Sequence, residues 1–488
     1  MSAAEVLRLA VARCAADAKA EHDEFGVLPP CRSLDPLWPP LSLAEYEMME
    51  RDTAKYLLYH AALNAAAKSV AAATGGAVAP PLRAVVVGGG GGRLVQSALA
   101  ACQEHGGPGS AVLVLDANPL AVEMLRQRFA AFAPPPGPGG MQAAAPPLPV
   151  TVTVGTPFTL LPVYAAAGPA GRTRAPLPAA AAPFAGQCDL AVAELLGSFG
   201  DNEFLPELMA AMATVFLKPA PARTALIPSD WVNWVVPISC PSVRRYLGLL
   251  KKPLNAGYVV GFPPDAVALS PPVELYRGDC RIAGSCYSGT VQVAAAAGGV
   301  LGGLDGSTDR AGGRAAKRAK AADAEAAKDA GVGGGRVPAL RCDGWLGYFT
   351  STLFGELVLD TRHGSAGRNS FHWEAFLFPA HAPLPCQPAD LLRLELRRHC
   401  AGATAAEAAA SDVAGGGAGP GRGVAGWAGE APQARLWYEW RTGSGSTLEG
   451  SPWQNADGVV QSLWLREAGT EACGAPPALD TPASDPLA

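Results

Sequence analysis

Two glutamates bracket a short loop that follows a segment typical of a buried strand. Leu190 to Ala193 are apolar, Glu194 comes directly after them, and Glu203 lies nine residues further on. The loop between them contains Gly197 and Gly200, and glycine tolerates the positive φ angles of tight turns. Two carboxylates that face one site either share a proton or bind a cation, and a planar guanidinium with five N–H donors suits such a clamp best. An ordinary polar loop is the alternative for the pair considered alone.

A second stretch has the order of a nucleotide-type binding site. The apolar run Ala84–Val87 is typical of a buried parallel strand, and five glycines, Gly88 to Gly92, follow it before a helical segment begins at Arg93. This order places backbone N–H groups and a helix N-terminus near a bound ligand. The next apolar run, Ala111–Leu115, ends in Asp116, which can accept hydrogen bonds from both hydroxyls of a ribose. A helix N-cap is the other interpretation of Asp116.

The framework that must position these groups is predicted to be an α/β domain. Further apolar runs at 150–154 and 188–193 bring the count to four strands with helices between them, which predicts a doubly wound parallel sheet. Ahead of the sheet, Ser42 is a good N-cap, so we expect one helix to begin there and to continue to His60. After Ile227, alternating apolar and aromatic residues predict an antiparallel β-barrel or sandwich.

The predicted organisation of the chain has three parts. Residues 1–40 are expected to form an N-terminal helix and a Pro-rich connector. Residues 41–226 form the α/β domain, and 227–488 form the β-barrel domain. Two low-complexity insertions, 298–336 and 401–432, interrupt the barrel because they are rich in Ala and Gly.

Composition excludes several classes of function. The 488 residues carry a net charge of −5, which argues against a general nucleic-acid binder and suits cationic substrates. The 11 cysteines contain no Cys-x-x-Cys pair, so we expect reduced thiols rather than disulfides or a metal site. No apolar run reaches the length of a membrane span, and acidic residues near the N-terminus argue against a secretory signal or a transit peptide. We therefore expect a cytoplasmic and nuclear protein.

The string Ala-Glu-Leu-Leu-Gly-Ser-Phe-Gly-Asp-Asn-Glu at 193–203 resembles the double-glutamate loop of the protein arginine methyltransferases. It is most similar to that of the symmetric-dimethylating (type II) subfamily. The resemblance runs from about residue 34 to about residue 441, and its other anchors include the segments 45–56, Gly344–Phe349 and Trp437–Trp440. It implies a Rossmann-like S-adenosylmethionine-dependent methyltransferase domain followed by an antiparallel β-barrel. No metal is implied, because a sulfonium is an intrinsically good leaving group.

The resemblance also implies roles for particular residues. Glu194 and Glu203 would be catalytic, and Lys55 would meet the carboxylate of the cofactor. The residues implied to bind the cofactor are Tyr46, Lys55, Tyr56, Gly88, Gly90, Gly92, Asp116, Pro157 and Phe158. The residues implied to bind substrate are Tyr46, Met49, His372 and Trp373. The implied substrates are histone tails and Gly/Arg-rich RNA-associated proteins, which would link the protein to chromatin regulation, and a homo-oligomer is expected.

The chain departs from the type II pattern in several places. Gly91 stands where the family has an arginine, and Pro157 stands where an acidic residue meets the adenine. Met49 replaces a phenylalanine and His372 replaces a serine, and both are more similar to the asymmetric (type I) enzymes. The family's N-terminal TIM barrel, which holds a WD-repeat partner, is expected to be missing. Symmetric dimethylarginine remains the expected product, with asymmetric product as the open alternative.

Two other functions are compatible with parts of the sequence. A catalytically weak or inactive scaffold of the same fold would explain Gly91, Pro157 and the expected loss of the barrel. A nucleotide-dependent oxidoreductase would explain the glycine loop but would leave the double-glutamate loop without a role. Retention of both glutamates favours the methyltransferase.

Overall fold

A computed structural model of the protein describes the residues 32–33, 43–74, 78–130, 149–154, 177–249, 253–260, 266–282, 286–296, 340–362, 369, 373–402, 434–445, 448, 451–455 and 461–463. The expected N-terminal helix and the insertion at 298–336 lie outside these ranges, as does most of the insertion at 401–432. The described structure has two parts. One is a parallel sheet with helices, and the other is a pair of antiparallel sheets.

The bounds of the helices and strands are as follows. The helices are α1 (Leu43–Glu50), α2 (Thr53–Ala73), α3 (Arg93–His105), α4 (Pro119–Ala130), α5 (Leu205–Phe216) and α6 (Pro241–Leu249). The strands are β1 (Arg32–Ser33), β2 (Arg83–Val87), β3 (Ala111–Asp116), β4 (Val150–Val154), β5 (Leu190–Ala193), β6 (Ala225–Ile227), β7 (Asp230–Ser239), β8 (Tyr258–Val260), β9 (Val267–Ala268), β10 (Val273–Asp279), β11 (Cys286–Ala294), β12 (Arg341–Phe354), β13 (Leu357–Asp360), β14 (Ala375–Pro385), β15 (Leu391–Gly402), β16 (Ala434–Ser444) and β17 (Gln461–Leu463). Among the described helices, none has both the length and the apolar character that a membrane span requires.

The parallel sheet confirms the predicted α/β fold. Its strand order is β4-β3-β2-β5-β6, and every neighbouring pair is parallel. The central strand β2 is buried from Ala84 to Val87, because helices cover both faces of such a sheet. The order places the ends of β2 and β5 side by side, so the glycine loop after β2 and the loop after β5 open at the same edge.

The expected single helix from Ser42 to His60 is two helices, so that prediction is wrong. Helix α1 ends at Glu50 and α2 begins at Thr53. Between them Asp52 adopts a non-helical backbone, and its carboxylate accepts a hydrogen bond from the Lys55 N–H at 3.0 Å. An aspartate N-cap satisfies an N–H group that a new helix leaves free, so Asp52 separates α2 from α1.

The antiparallel strands confirm the predicted second fold type. One sheet has the order β1-β8-β14-β12-β7-β10; in addition, β13 pairs with β12 and β9 pairs with β7. The other sheet has the order β11-β15-β16-β17. Side chains of β12 and Trp373 share a hydrophobic core with the parallel sheet, among them Phe349 and Leu353. The two parts therefore pack directly against each other, and the loop after β5 lies at their junction.

Candidate active site at the junction of the sheets

The loop after β5 folds back through a tight glycine turn. The backbones of Gly197 and Gly200 exchange hydrogen bonds, with N–O distances of 3.2 and 2.8 Å. Gly200 has a φ of 70°, and a Cβ there would lie 2.8 Å from Oδ1 of Asn233. A glycine is therefore required at this position by both conformation and space. The turn reverses the chain, so that Glu203 returns towards Glu194.

Glu194 forms an ion pair with a buried lysine. The Nζ of Lys55 lies 3.1 Å from Oε2 of Glu194, and the lysine side chain is completely buried. Burial favours the neutral amine, but Glu194, Tyr56 and Asp52 together outweigh this effect, so the pKa of Lys55 is raised. The ammonium also lies 4.8 Å from the centre of the Tyr56 ring and 5.1 Å from that of Trp373. Lys55 thus contacts the glutamate loop in this structure, and the contact with the cofactor's carboxylate that the resemblance implied stays a prediction.

Glu203 lies close enough to Glu194 and Lys55 for their charges to act on its carboxyl group. Burial of its carboxyl raises the pKa of Glu203 to about 8; the charge of Glu194 adds to this rise and that of Lys55 opposes it. The structure therefore brings the two predicted glutamates together beside one buried cation. With no further cation present, Glu203 is mostly protonated at neutral pH.

The loop is held in place by hydrogen bonds from both sides. The hydroxyl of Tyr59 on α2 donates to the carbonyl of Ala193 at 3.2 Å. The indole N–H of Trp373 donates to the carbonyl of Leu196 at 2.6 Å, and its ring packs edge-on against Phe349 with centroids 5.2 Å apart. Trp373 is buried, so in this structure it supports the loop; the substrate contact implied for it stays a prediction.

The glycine loop and Asp116 form the neighbouring part of the site. Gly88, Gly90 and Gly92 have φ angles of 73°, 50° and 105°, which favour glycine. The carboxylate of Asp116 accepts the N–H of Gly90 at 3.0 Å and that of Asn118 at 2.8 Å. Burial raises the pKa of Asp116, although these donors oppose it. Asp116 also interacts with the backbone N–H of Gly89. Because a carboxylate can accept about four hydrogen bonds, Asp116 can still accept one from a ribose hydroxyl.

Helix α1 covers the glycine loop. The hydroxyl of Tyr46 accepts a hydrogen bond from Nδ2 of Asn118 at 3.0 Å, and the Tyr46 ring lies 3.4 Å from where a Cβ on Gly90 would be. Burial, together with the charge of Asp116, raises the pKa of Tyr46 to about 12. Met49 is half-buried on the same helix. The glycine loop thus lies between α1 and the sheet, which fits a flat ligand held against backbone atoms.

Sequence reasoning missed Glu50, which fills the space beside Gly91. Its Oε1 accepts the N–H of Arg93 at 3.0 Å, and its Oε2 lies 3.9 Å from Nη1 of Arg128. A Cβ on Gly91 would lie only 2.4 Å from this carboxyl group. The Arg93 guanidinium donates to the Glu50 carbonyl and lies 5.1 Å from the Tyr56 ring centre. The missing side chain at Gly91, noted in the sequence as a departure, was the available signal.

A buried charge cluster next to Glu203 was also missed. Asp201 and Glu207, one on each side of Glu203, bind Arg398 from β15. The signal was the presence of two acidic residues near the start of the apolar helix α5.

Three of the predicted site residues, Pro157, Phe158 and His372, lie outside the described residues. In the part of the chain that the structure describes, no group of three or more His, Cys, Asp or Glu side chains is arranged to hold a metal ion.

Comparison with known protein families confirms the resemblance predicted from the motifs. Residues 19–132 and 176–223 match the sequence profile of the PRMT5 arginine-N-methyltransferase family. Over 59 residues the chain is 44% identical to protein arginine N-methyltransferase 5 of Caenorhabditis elegans. This alignment covers 12% of the chain and 8% of that relative, so it spans less than a tenth of the relative's length.

Two solved structures are similar to the chain. One is the Trypanosoma brucei PRMT1 enzyme–prozyme heterotetrameric complex with AdoHcy, at 12% identity and a TM-score of 0.48 over 87% of this chain and 100% of that one. The other is Arabidopsis thaliana protein arginine methyltransferase 10 in an open conformation, at 12% identity and a TM-score of 0.45 over the same shares. Both scores are below 0.5, so neither similarity adds to the assignment.

Proposed function

We propose that this chain, whose matched segments belong to the PRMT5 arginine-N-methyltransferase family, transfers methyl groups from S-adenosylmethionine to the guanidinium nitrogens of protein arginines. The observation that carries the proposal is the convergence of Glu194 and Glu203 on one site beside the buried Lys55. The site opens at the same sheet edge as the glycine loop, so the donor and the acceptor of a group transfer can meet there.

The charges of the site suit a guanidinium. When both glutamates are ionised, two negative charges face the single positive charge of Lys55, and an arriving cation balances the second one. The substrate guanidinium stays protonated in water because its pKa is above about 12. Its N–H donors can reach both carboxylates, which orients one nitrogen and draws positive charge away from it.

Glu203 has a pKa suited to proton transfer. In the free protein this pKa is about 8, so Glu203 releases its proton near neutral pH when a cation arrives. Binding of the guanidinium favours the ionised carboxylate, so Glu203 enters the reaction without its proton. Glu203, Glu194 or a water molecule then accepts the proton that the methylated nitrogen releases.

The residues around the glycine loop fit S-adenosylmethionine. Asp116 would hold a ribose hydroxyl, the backbone of Gly88 to Gly92 would lie against the ligand, and Tyr46 would cover it. When bound, the cofactor supplies a methyl group on a sulfonium. The role of this part of the chain is to orient that group towards the two glutamates and to exclude water.

The product, substrates and location form the finer part of the proposal. Symmetric dimethylarginine is the proposed product because the loop at 193–203 has the type II sequence. Histone tails and Gly/Arg-rich proteins are the proposed substrates, and a net charge of −5 is compatible with such cationic partners. The protein would act in the cytoplasm and the nucleus as a homo-oligomer.

The proposal is tested by separating methyl transfer from cofactor binding. Glu194→Gln should lose at least about 100-fold in turnover on a Gly/Arg-rich peptide, because it removes one half of the electrostatic clamp. Its dissociation constant for S-adenosylmethionine, measured by calorimetry, should stay within about twofold of the wild type. Glu123→Gln, an exposed residue on α4, is the matched control and should keep full activity. Cofactor binding by the wild type without any methyl transfer would instead indicate an inactive scaffold.

A further inference from the structure

One buried arginine, Arg398, binds residues on both sides of Glu203 in the chain. The Nη1 and Nη2 atoms of Arg398 donate to the two carboxylate oxygens of Glu207 at 2.7 and 2.9 Å. Nη2 also donates to the carbonyl of Asp201 at 3.1 Å, and Nε lies 3.3 Å from Oδ2 of Asp201. Asp201 is two residues before Glu203 and Glu207 is four residues after it. All three charged side chains are at most 1% exposed.

The carboxylate of Asp201 is itself held by the antiparallel strands. It accepts hydrogen bonds from Asn233 on β7 at 2.9 Å, from Tyr276 on β10 at 3.0 Å and from Tyr438 on β16 at 2.7 Å. With Arg398 on β15, four strands from both antiparallel sheets hold this one side chain. We call Asp201, Glu207 and Arg398 with these three donors the Arg398 cluster.

The segment between Asp201 and Glu207 has an uncommon backbone conformation. Phe204, next to Glu203, has a φ of 61°, in the left-handed region that non-glycine residues rarely adopt. Such a conformation persists only where the surrounding structure holds it in place. Arg398 binds Asp201 before this residue and Glu207 after it, so the direction of the Glu203 side chain depends on the Arg398 cluster.

We infer that Arg398 is a positioning residue of the methyl-transfer site, which sets the place of the Glu203 carboxyl relative to Glu194 by fixing both ends of the segment 201–207. The inference rests on the proposed function for its catalytic consequence. Stability alone does not call for such a cluster, because well-packed apolar residues in place of a buried ion pair are often as stable or more so. The Arg398 cluster also connects the segment of Glu203 to both antiparallel sheets. A displacement of those sheets would therefore move Glu203 through Arg398.

The test replaces the guanidinium with a single ammonium. Arg398→Lys keeps the charge but cannot donate in parallel to Glu207 and still reach Asp201. We expect kcat to fall about 100-fold, the scale for a displacement of about 1 Å at a reacting group, while the dissociation constant for S-adenosylmethionine changes by less than about twofold. Arg441→Lys is the matched control, since Arg441 lies on β16 and pairs with Glu395; it should leave kcat unchanged.

A second readout does not depend on activity. NMR of protein with ¹³C-labelled glutamate carboxyls follows the titration of Glu203 in the absence of ligands, and Glu203→Gln identifies its signal. Arg398→Lys should move the midpoint of this titration by at least about half a pH unit, because the carboxyl leaves its place beside Glu194 and Lys55. If Arg398→Lys fails to fold, Tyr438→Phe, which removes one donor to Asp201, should shift the midpoint in the same way by a smaller amount.

The outcomes separate the inference from the proposed function. An unchanged titration and an unchanged kcat in Arg398→Lys would overturn the positioning role. If Arg398→Lys shifts the Glu203 titration but the wild type shows no methyl transfer, the proposed activity is refuted and the positioning of Glu203 by Arg398 stays supported. A fall in kcat with the Glu203 titration unmoved would also contradict the inference, because the loss would then have another cause.

Discussion

The pKa of Glu203 predicts a steep dependence of methyl transfer on pH. Burial and the charge of Glu194 raise this pKa from 4.5 to about 8 in the free protein. At that value about one tenth of the molecules carry an ionised Glu203 at pH 7, and about nine tenths do so at pH 9. Only the ionised form completes the clamp for a guanidinium. Since kcat/KM reports the free enzyme, it should rise about tenfold between pH 7 and pH 9.

The neighbouring side chains of Tyr46, Tyr56 and Lys55 titrate above this range. Burial raises the pKa of both Tyr46 and Tyr56 to about 12, and the pKa of Lys55 is raised as well. These three groups therefore do not contribute to the rise in kcat/KM, which we assign to Glu203. The assay measures initial rates on a Gly/Arg-rich peptide from pH 6 to pH 9.5, with both the peptide and S-adenosylmethionine below their KM values.

Two variants make this prediction refutable. Glu203→Gln should have low activity that no longer rises with pH, whereas Glu123→Gln should keep the full rise. A wild-type profile that is flat from pH 7 to pH 9 would refute the reasoning. So would a residual activity in Glu203→Gln that still rises tenfold.

Three further predictions follow from the same contacts. Because the pKa of Glu203 is raised in the folded protein, the contribution of this group to stability is fully present below pH 4.5 and is lost as the pH rises through about 8. In calorimetry, the Tm of Glu203→Gln should therefore rise relative to that of the wild type between pH 5 and pH 9. A difference in Tm that stays constant with pH would contradict this. Gly91→Ala should lower the free energy of unfolding by about 1 kcal/mol in urea titrations, because the added methyl group displaces the Glu50 carboxylate from the Arg93 N–H. An unchanged urea midpoint would show that Glu50 adjusts without loss of stability. Lys55→Met removes the cation that opposes the rise in the pKa of Glu203, so the pH profile of kcat/KM should move to higher pH, and a shift to lower pH would contradict the assigned contact.

Much of the fold was predictable because buried parallel strands are continuous apolar runs. Strand β2, with its sequence Arg-Ala-Val-Val-Val, is an example. Strand β6 was missed since it has only three residues and its last one, Ile227, was assigned to the second domain. Strand β10 was missed because Glu274 and Arg277 interrupt its apolar pattern. The break between α1 and α2 depends on one side-chain cap, which helical periodicity does not reveal.

The candidate site divides in the same way. The pair Glu194 and Glu203 was predictable because both glutamates lie in one short motif. The partner of Lys55 and the role of Arg398 were not, since Lys55 meets a residue 139 positions away and Arg398 meets Glu207 across 191 positions. The first contact depends on how α2 packs beside the end of β5, and the second depends on how β15 packs beside α5. A single sequence carries little information on that placement.

The most direct test is mass spectrometry of a Gly/Arg-rich peptide after incubation with the protein and S-adenosylmethionine, with fragment ions that separate the two dimethylarginines. We predict symmetric dimethylarginine with the wild type and with Glu123→Gln, and none with Glu194→Gln. Asymmetric product would contradict the type II assignment of the loop at 193–203. A peptide that stays unmethylated while the protein binds S-adenosylmethionine would contradict the proposal that Glu194 and Glu203 form a working arginine methyltransferase site.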